Sequence, residues 1–110
     1  MTRTFVETSN DVEGFHRWER APEPIAFLRD RHRHVFKIRC RFEVGDGDRE
    51  IEIFMKQKEI FDFLLAKFGS PCEFGGFSCE HIAAMLVDAF PGMARCSVLE
   101  DGFGGGTVER

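Results

Sequence analysis

The run Arg31-His32-Arg33-His34 places two imidazoles two residues apart where a long extended segment begins. On a β-strand, residues two apart point to the same face. From Val35 the alternation is regular. Phe36, Ile38, Cys40, Phe42 and Val44 share the even-numbered face with His32 and His34, while Lys37, Arg39, Arg41 and Glu43 take the other. The histidines therefore stand at the lip of an apolar surface, where two nitrogens from one rigid element form half of a metal site. A third imidazole, His16, lies near the end of an earlier segment that can pair antiparallel with this strand. Three imidazoles with no fourth protein ligand leave a position for water or substrate, the pattern of a catalytic zinc rather than a structural one. Zinc in such a site is a Lewis acid toward a carbonyl or alkoxide and lowers the pKa of a bound hydroxyl. The competing reading is an Arg/His-rich basic stretch that contacts phosphate or solvent, and the pattern alone leaves both open.

The elements that must position these groups follow from local signals. Thr2 to Glu7 reads as a first strand, followed by the turn-like Ser9-Asn10-Asp11, with extended structure resuming at Gly14 to Trp18. Ala21-Pro22-Glu23-Pro24 reads as a loop, because proline donates nothing to a ladder and biases its predecessor away from helix. The main strand spans about His32 to Val44. Gly45-Asp46-Gly47-Asp48 then suggests a hairpin turn, and Arg49 to Met55 its return strand. Ile60, Phe61, Leu64, Leu65 and Phe68 recur at helical spacing, which predicts a helix from about Lys56 to Phe68, stopped by Gly69 and Pro71. Ser78 is a good N-cap for a second helix reaching about Phe90, and Glu80 favours its first turn. Arg95 to Glu100 reads as the last strand, before the glycine-rich turn Gly102 to Gly106 and a short extended tail. The order β-β-β-α-α-β predicts an α+β domain over 1–110, with a four-stranded antiparallel sheet and two helices on one face.

Composition narrows the function classes. At 110 residues the chain suits one domain, and a net charge of −4 argues against a general nucleic-acid binder. The charge is uneven: Arg29 to Arg41 holds six basic residues against the single acid Asp30. Thirteen Phe are many for one small core and hint at a further buried surface, such as a subunit interface. Cys40, Cys72, Cys79 and Cys96 form no Cys-x-x-Cys pair, and no signal peptide or membrane-length apolar run is present. These features predict a cytoplasmic protein in a reducing compartment, without disulfides and without a membrane partner.

The order GFHRW (14–18), RHRHVFKIRCRFEV (31–44), a charged hairpin, SCEHIAAML (78–86) and SVLED (97–101) resembles the 6-pyruvoyltetrahydropterin synthase family. That family includes the 6-carboxytetrahydropterin synthases of queuosine and deazaguanine biosynthesis. The resemblance covers nearly the whole chain and rests on the order and spacing of motifs rather than on one of them. It implies a T-fold, in which small α+β subunits join their sheets into a barrel, usually as trimers stacked into hexamers. The basic stripe would then line the barrel lumen. His16, His32 and His34 match the family's zinc ligands. Ser78, Cys79 and Glu80 match the helix-start motif along the pterin pocket, and Glu100 matches the glutamate that anchors the pterin ring. A carboxylate suits that task, because its two oxygens accept from adjacent donors of a 2-aminopyrimidinone edge.

The chain also departs from the pattern. The family's catalytic cysteine stands four residues before the first histidine of the pair, where this chain has Leu28, and Arg33 replaces the glycine between the histidines. The stretch Gly69–Phe77 contains neither the Asp nor the His that help transfer protons in the family. Cys79, His81 and Cys72 are substitute proton carriers to consider. The resemblance implies a zinc-dependent, lyase-type elimination on a pterin or purine-like substrate. The departures keep open a catalytically silent T-fold that binds or sequesters such a ligand.

Overall fold

The computed structural model describes residues 1–45 and 47–110, so Asp46, in the expected hairpin turn, lies outside the described residues. The architecture is α+β. One five-stranded mixed sheet has the order β3-β1-β2-β4-β5, built from β1 (Thr4–His16), β2 (His32–Val44), β3 (Cys72–Gly75), β4 (Met93–Glu100) and β5 (Gly104–Glu109). Two helices, α1 (Ile53–Phe68) and α2 (Cys79–Ala89), and a short 3-10 helix (Glu23–Arg29) complete it.

Three expectations are corrected. The first strand does not turn at Ser9-Asn10-Asp11 but runs unbroken from Thr4 to His16, in antiparallel register with the whole of β2. Asn10 is held there by its side-chain amide, which donates to the Gln57 carbonyl. There is no return strand at 49–55, because both edges of β2 are taken, by β1 and by β4. Instead the Glu52 carboxylate caps the backbone amides of Phe54 and Met55 at 3.2 and 3.1 Å, so a helix begins at Ile53. The segment after Gly69 is no plain loop. Its residues Cys72–Gly75 form β3, which pairs parallel with the end of β1. The sheet is thus five-stranded and mixed rather than four-stranded and antiparallel.

The even-numbered face of β2 builds the core. Phe36, Ile38, Cys40 and Phe42 are buried against Ile60 and Leu64 of α1 and Ile82 and Leu86 of α2. At about 25 cal/mol per Å² of apolar area, this cluster supplies most of the folding drive. The opposite face is a paired charge surface rather than a bare basic stripe. Glu7, Asp11 and Glu13 of β1 meet Arg41, Lys37 and Arg33 of β2, the first two pairs at 3.0 and 3.2 Å, and Arg31 meets Glu73. Such exposed pairs contribute at most about 1 kcal/mol each. They do neutralise the stripe, leaving Arg39 as its one residue without an ion-pair partner among the described residues. Among the described residues no helix is long and apolar enough to cross a membrane.

Candidate metal centre

The antiparallel register sets His16 directly opposite His32, and His34 opposite Gly14. Gly14 is required there, because a Cβ would come within 2.7 Å of the Phe74 ring. Phe74 in turn packs on Phe36, whose ring meets the His16 and His34 rings edge-on at 5.2 and 5.7 Å. The three imidazole centroids lie 4.5, 5.0 and 5.3 Å apart, above this aromatic floor. One ligand atom from each of His16, His32 and His34 falls within 4.8 Å of the others, so the three can hold a metal ion.

The hydrogen bonds decide which ring nitrogens are free. His16 Nδ1 donates to the Phe77 carbonyl at 2.9 Å, and His32 Nδ1 to the Asp30 carbonyl at 2.9 Å. His34 Nδ1 donates to Asp101 Oδ2 at 2.6 Å. A carbonyl or carboxylate only accepts, so each Nδ1 carries a proton, and in the neutral ring Nε2 is the atom with the lone pair. This outer shell is what metal-ligating histidines need to fix ring orientation and raise basicity. Among the described residues His16 Nε2 and His34 Nε2 are buried without a hydrogen-bond partner. Burial is the main influence on His16 and holds its pKa below the ordinary imidazole value, while the Phe77 carbonyl and Glu100 push the other way.

Glu100 and Asp101 close the site from the end of β4. Glu100 Oε2 lies 3.0 Å from His16 Nε2, and its Oε1 lies 3.5 Å from His34 Nε2. Asp101 has a left-handed backbone, φ 54°, which aspartate tolerates better than most residues. That turn aims both carboxylate oxygens back at β2. Oδ1 accepts from the Val35 amide at 2.8 Å while Oδ2 holds His34. The Val35 amide, followed by His34, keeps the Asp101 carboxyl below the usual range.

Beside the metal centre opens a cavity of about 460 Å³, lined by His16, His32, Leu28, Trp18, Glu100 and the start of α2. Ser78 caps α2 by accepting from the His81 amide at 3.1 Å. Cys79 points its thiol at Glu100 Oε2, 3.7 Å away, and burial followed by the Glu100 charge pushes its pKa up to about 12. Glu80 is exposed at the cavity edge, against β5, and the His81 ring stacks on Phe77 at 3.9 Å. Cys72 is elsewhere. It sits fully buried in the core, its thiol toward the Leu64 carbonyl, so it does not reach the cavity. Leu28 lines the cavity and brings no titratable group to it.

Sequence reasoning missed Asp101, and it missed the two carbonyls of Asp30 and Phe77. The local signal for Asp101 was its place between a strand end and Gly102, where an aspartate can turn the chain and still offer two acceptors. No protein-family profile and no curated protein matches the chain.

Proposed function

We propose that this chain is a zinc-binding T-fold protein of the pterin-synthase kind, with its ligand site in the cavity beside His16, His32 and His34. The observation that carries the reading is the shared tie at Nδ1: three rings held there, with one ligand atom from each within 4.8 Å of the others, beside a cavity that His16 and His32 line. Neutral imidazoles and an all-nitrogen donor set suit zinc. Zinc held there supplies Lewis acidity toward the side-chain oxygens of a substrate. Glu100 accepts from the donor edge of a pterin or purine-like ring, while Trp18 and Leu28 cover its apolar faces. Ser78, Cys79 and Glu80 border the ring from the α2 start, and the reaction is a lyase-type elimination. Of the proton carriers considered, Cys79 and His81 reach the cavity; the protonated Cys79 thiol is an acid rather than a base.

Self-association belongs to the same proposal. β3 pairs with β1 only at its last residues, so among the described residues most of the outer edge of β1, and that of β5, has no strand partner, and these edges would pair with another copy in a trimer or hexamer. The proposed setting is a reducing cytoplasm, in keeping with four free cysteines.

A second reading rests on Leu28. A lost general base costs on the order of 10²–10⁴ in rate, so the chain could bind a pterin- or guanine-like ligand without turning it over. The experiment is to incubate zinc-loaded protein with dihydroneopterin triphosphate and follow product and binding together. Turnover abolished by His32→Ala supports the lyase. Binding without turnover supports the silent binder, and neither binding nor turnover removes both.

A further inference from the structure

The open face of the sheet, away from the helices and the metal centre, gathers cations at the middle of its strands. Ser9, Arg39, Ser97 and Thr107 form one row across β1, β2, β4 and β5, and Glu7, Arg41, Arg95 and Glu109 form the next. The acids of the second row stand at its two ends, and the two arginines face each other between them. Like charges directly opposite on neighbouring strands repel. Arg39, one row away on the same face of β2, adds a third cation.

The acids answer this charge only in part. Glu7 meets Arg41 at 3.0 Å, but Glu109 reaches Arg95 only at 3.7 Å. Arg95 Nε is buried without a hydrogen-bond partner among the described residues. Arg39 is exposed and has no ion-pair partner among them. Ser97 and Thr107 share one hydroxyl hydrogen across 2.8 Å, which leaves the other free to donate. Arg39, Arg41 and Arg95, with Ser9, Ser97 and Glu7, line a cavity of about 550 Å³. Its wall therefore sets three guanidiniums against one carboxylate.

We propose that this cavity binds a free, multiply charged oxyanion of the phosphate class, held by Arg39, Arg95 and Arg41. A guanidinium presents parallel N–H donors in a fixed fork that matches phosphate oxygens. Forks arriving from two strands and two rows suit a tetrahedral group, whose oxygens point in several directions, better than a planar carboxylate. The anion relieves the repulsion between Arg41 and Arg95 and gives the buried Arg95 Nε an acceptor. Glu7 and Glu109 border the arginines and repel a longer chain of phosphates, so the site takes one small anion rather than a nucleic-acid backbone. It lies on the face of β2 opposite His32 and His34 and stands independently of the metal reading.

The test titrates inorganic phosphate, pyrophosphate and acetate into the full chain by calorimetry, for the parent, Arg39→Gln, Arg95→Gln, Arg33→Gln and His32→Ala. Each variant is first checked for an unchanged melting profile; Arg39 is exposed, so Arg39→Gln carries the test even if Arg95→Gln does not fold. The expected result is saturable binding of phosphate or pyrophosphate to the parent, weakened at least roughly tenfold in Arg39→Gln and Arg95→Gln, since each loses charged hydrogen bonds. Arg33→Gln, which removes a cation already paired with Glu13 outside the cavity, should stay within about twofold. His32→Ala should bind as the parent does. Binding that survives Arg39→Gln but is lost in His32→Ala would put the anion on the metal centre and overturn the inference. No saturable binding of either phosphate anion, or acetate bound as tightly as phosphate, would overturn it as well.

Discussion

Asp101→Asn changes one atom and tests whether the outer shell governs the metal centre. Asp101 satisfies two donors, the Val35 amide at 2.8 Å and His34 Nδ1 at 2.6 Å, with two acceptor oxygens. Asparagine tolerates the same left-handed backbone, so the turn survives. It offers only one acceptor, however, and its NH2 must face a donor in either orientation. If the amide oxygen keeps Val35, His34 loses its acceptor and is free to carry its proton on Nε2, the atom that must ligate. The expected loss in metal affinity is about 10–100-fold, or about 1.4–2.7 kcal/mol. Stability should fall by no more than about 1 kcal/mol, since the lost bond is partly exposed to solvent. Zinc affinity by chelator competition, read beside a urea melt, separates the two effects. Metal affinity within twofold of the parent in a folded Asp101→Asn would falsify the argument that Nδ1 partners set the site.

Other outcomes follow from the packing. In Gly105→Ala the new Cβ would stand 1.8 Å from the Val98 carbonyl oxygen, a backbone atom that cannot swing aside. Overpacking of this kind should cost roughly 3 kcal/mol and lower Tm by about 10 °C or more; an unchanged Tm would mean that β5 is not seated against β4 as described. Cys72 is pushed up to about 11 and Cys79 up to about 12, both chiefly by burial, from an ordinary value of 9.0. The folded chain keeps these protons where the unfolded chain releases them. Stability should therefore be insensitive to the two thiols below pH 9 and decline as pH rises from 9 toward 11. Urea midpoints at pH 8 and pH 10.5 check this, along with slow alkylation of both thiols in the native state at pH 8. The paired charges of the open sheet face lead to a fourth expectation: no salt-dependent binding of duplex DNA or RNA at physiological ionic strength.

What was legible in the sequence had a periodic or chemical signature. The alternation from Phe36 to Val44 marked β2 and its buried face, and two histidines in phase with it marked the site. Ser78 marked the start of α2. The losses have physical causes too. Ile51, Ile53 and Met55 alternate like a strand, but the Glu52 cap and the occupied edges of β2 turn that stretch into the start of α1. Ser9-Asn10-Asp11 has turn-forming residues, yet pairing with Ile38, Arg39 and Lys37 on the neighbouring strand keeps it extended. The basic stripe was visible; its neutralisation by acids of β1 depended on a register that no local pattern reveals. Backbone carbonyls that fix a tautomer have no sequence signature at all, which is why the partners of His16 and His32 emerged only in three dimensions.

One metal ion per chain, held by His16, His32 and His34 through their Nε2 atoms, is what the proposed site requires. Metal analysis of protein purified without chelators, then reloaded with one equivalent of zinc and dialysed, tests it most directly. About one zinc per chain is expected in the parent and little retained in His32→Ala, since each ring supplies a third of the nitrogen ligands. Less than about a tenth of an equivalent in a folded parent after reloading would contradict it.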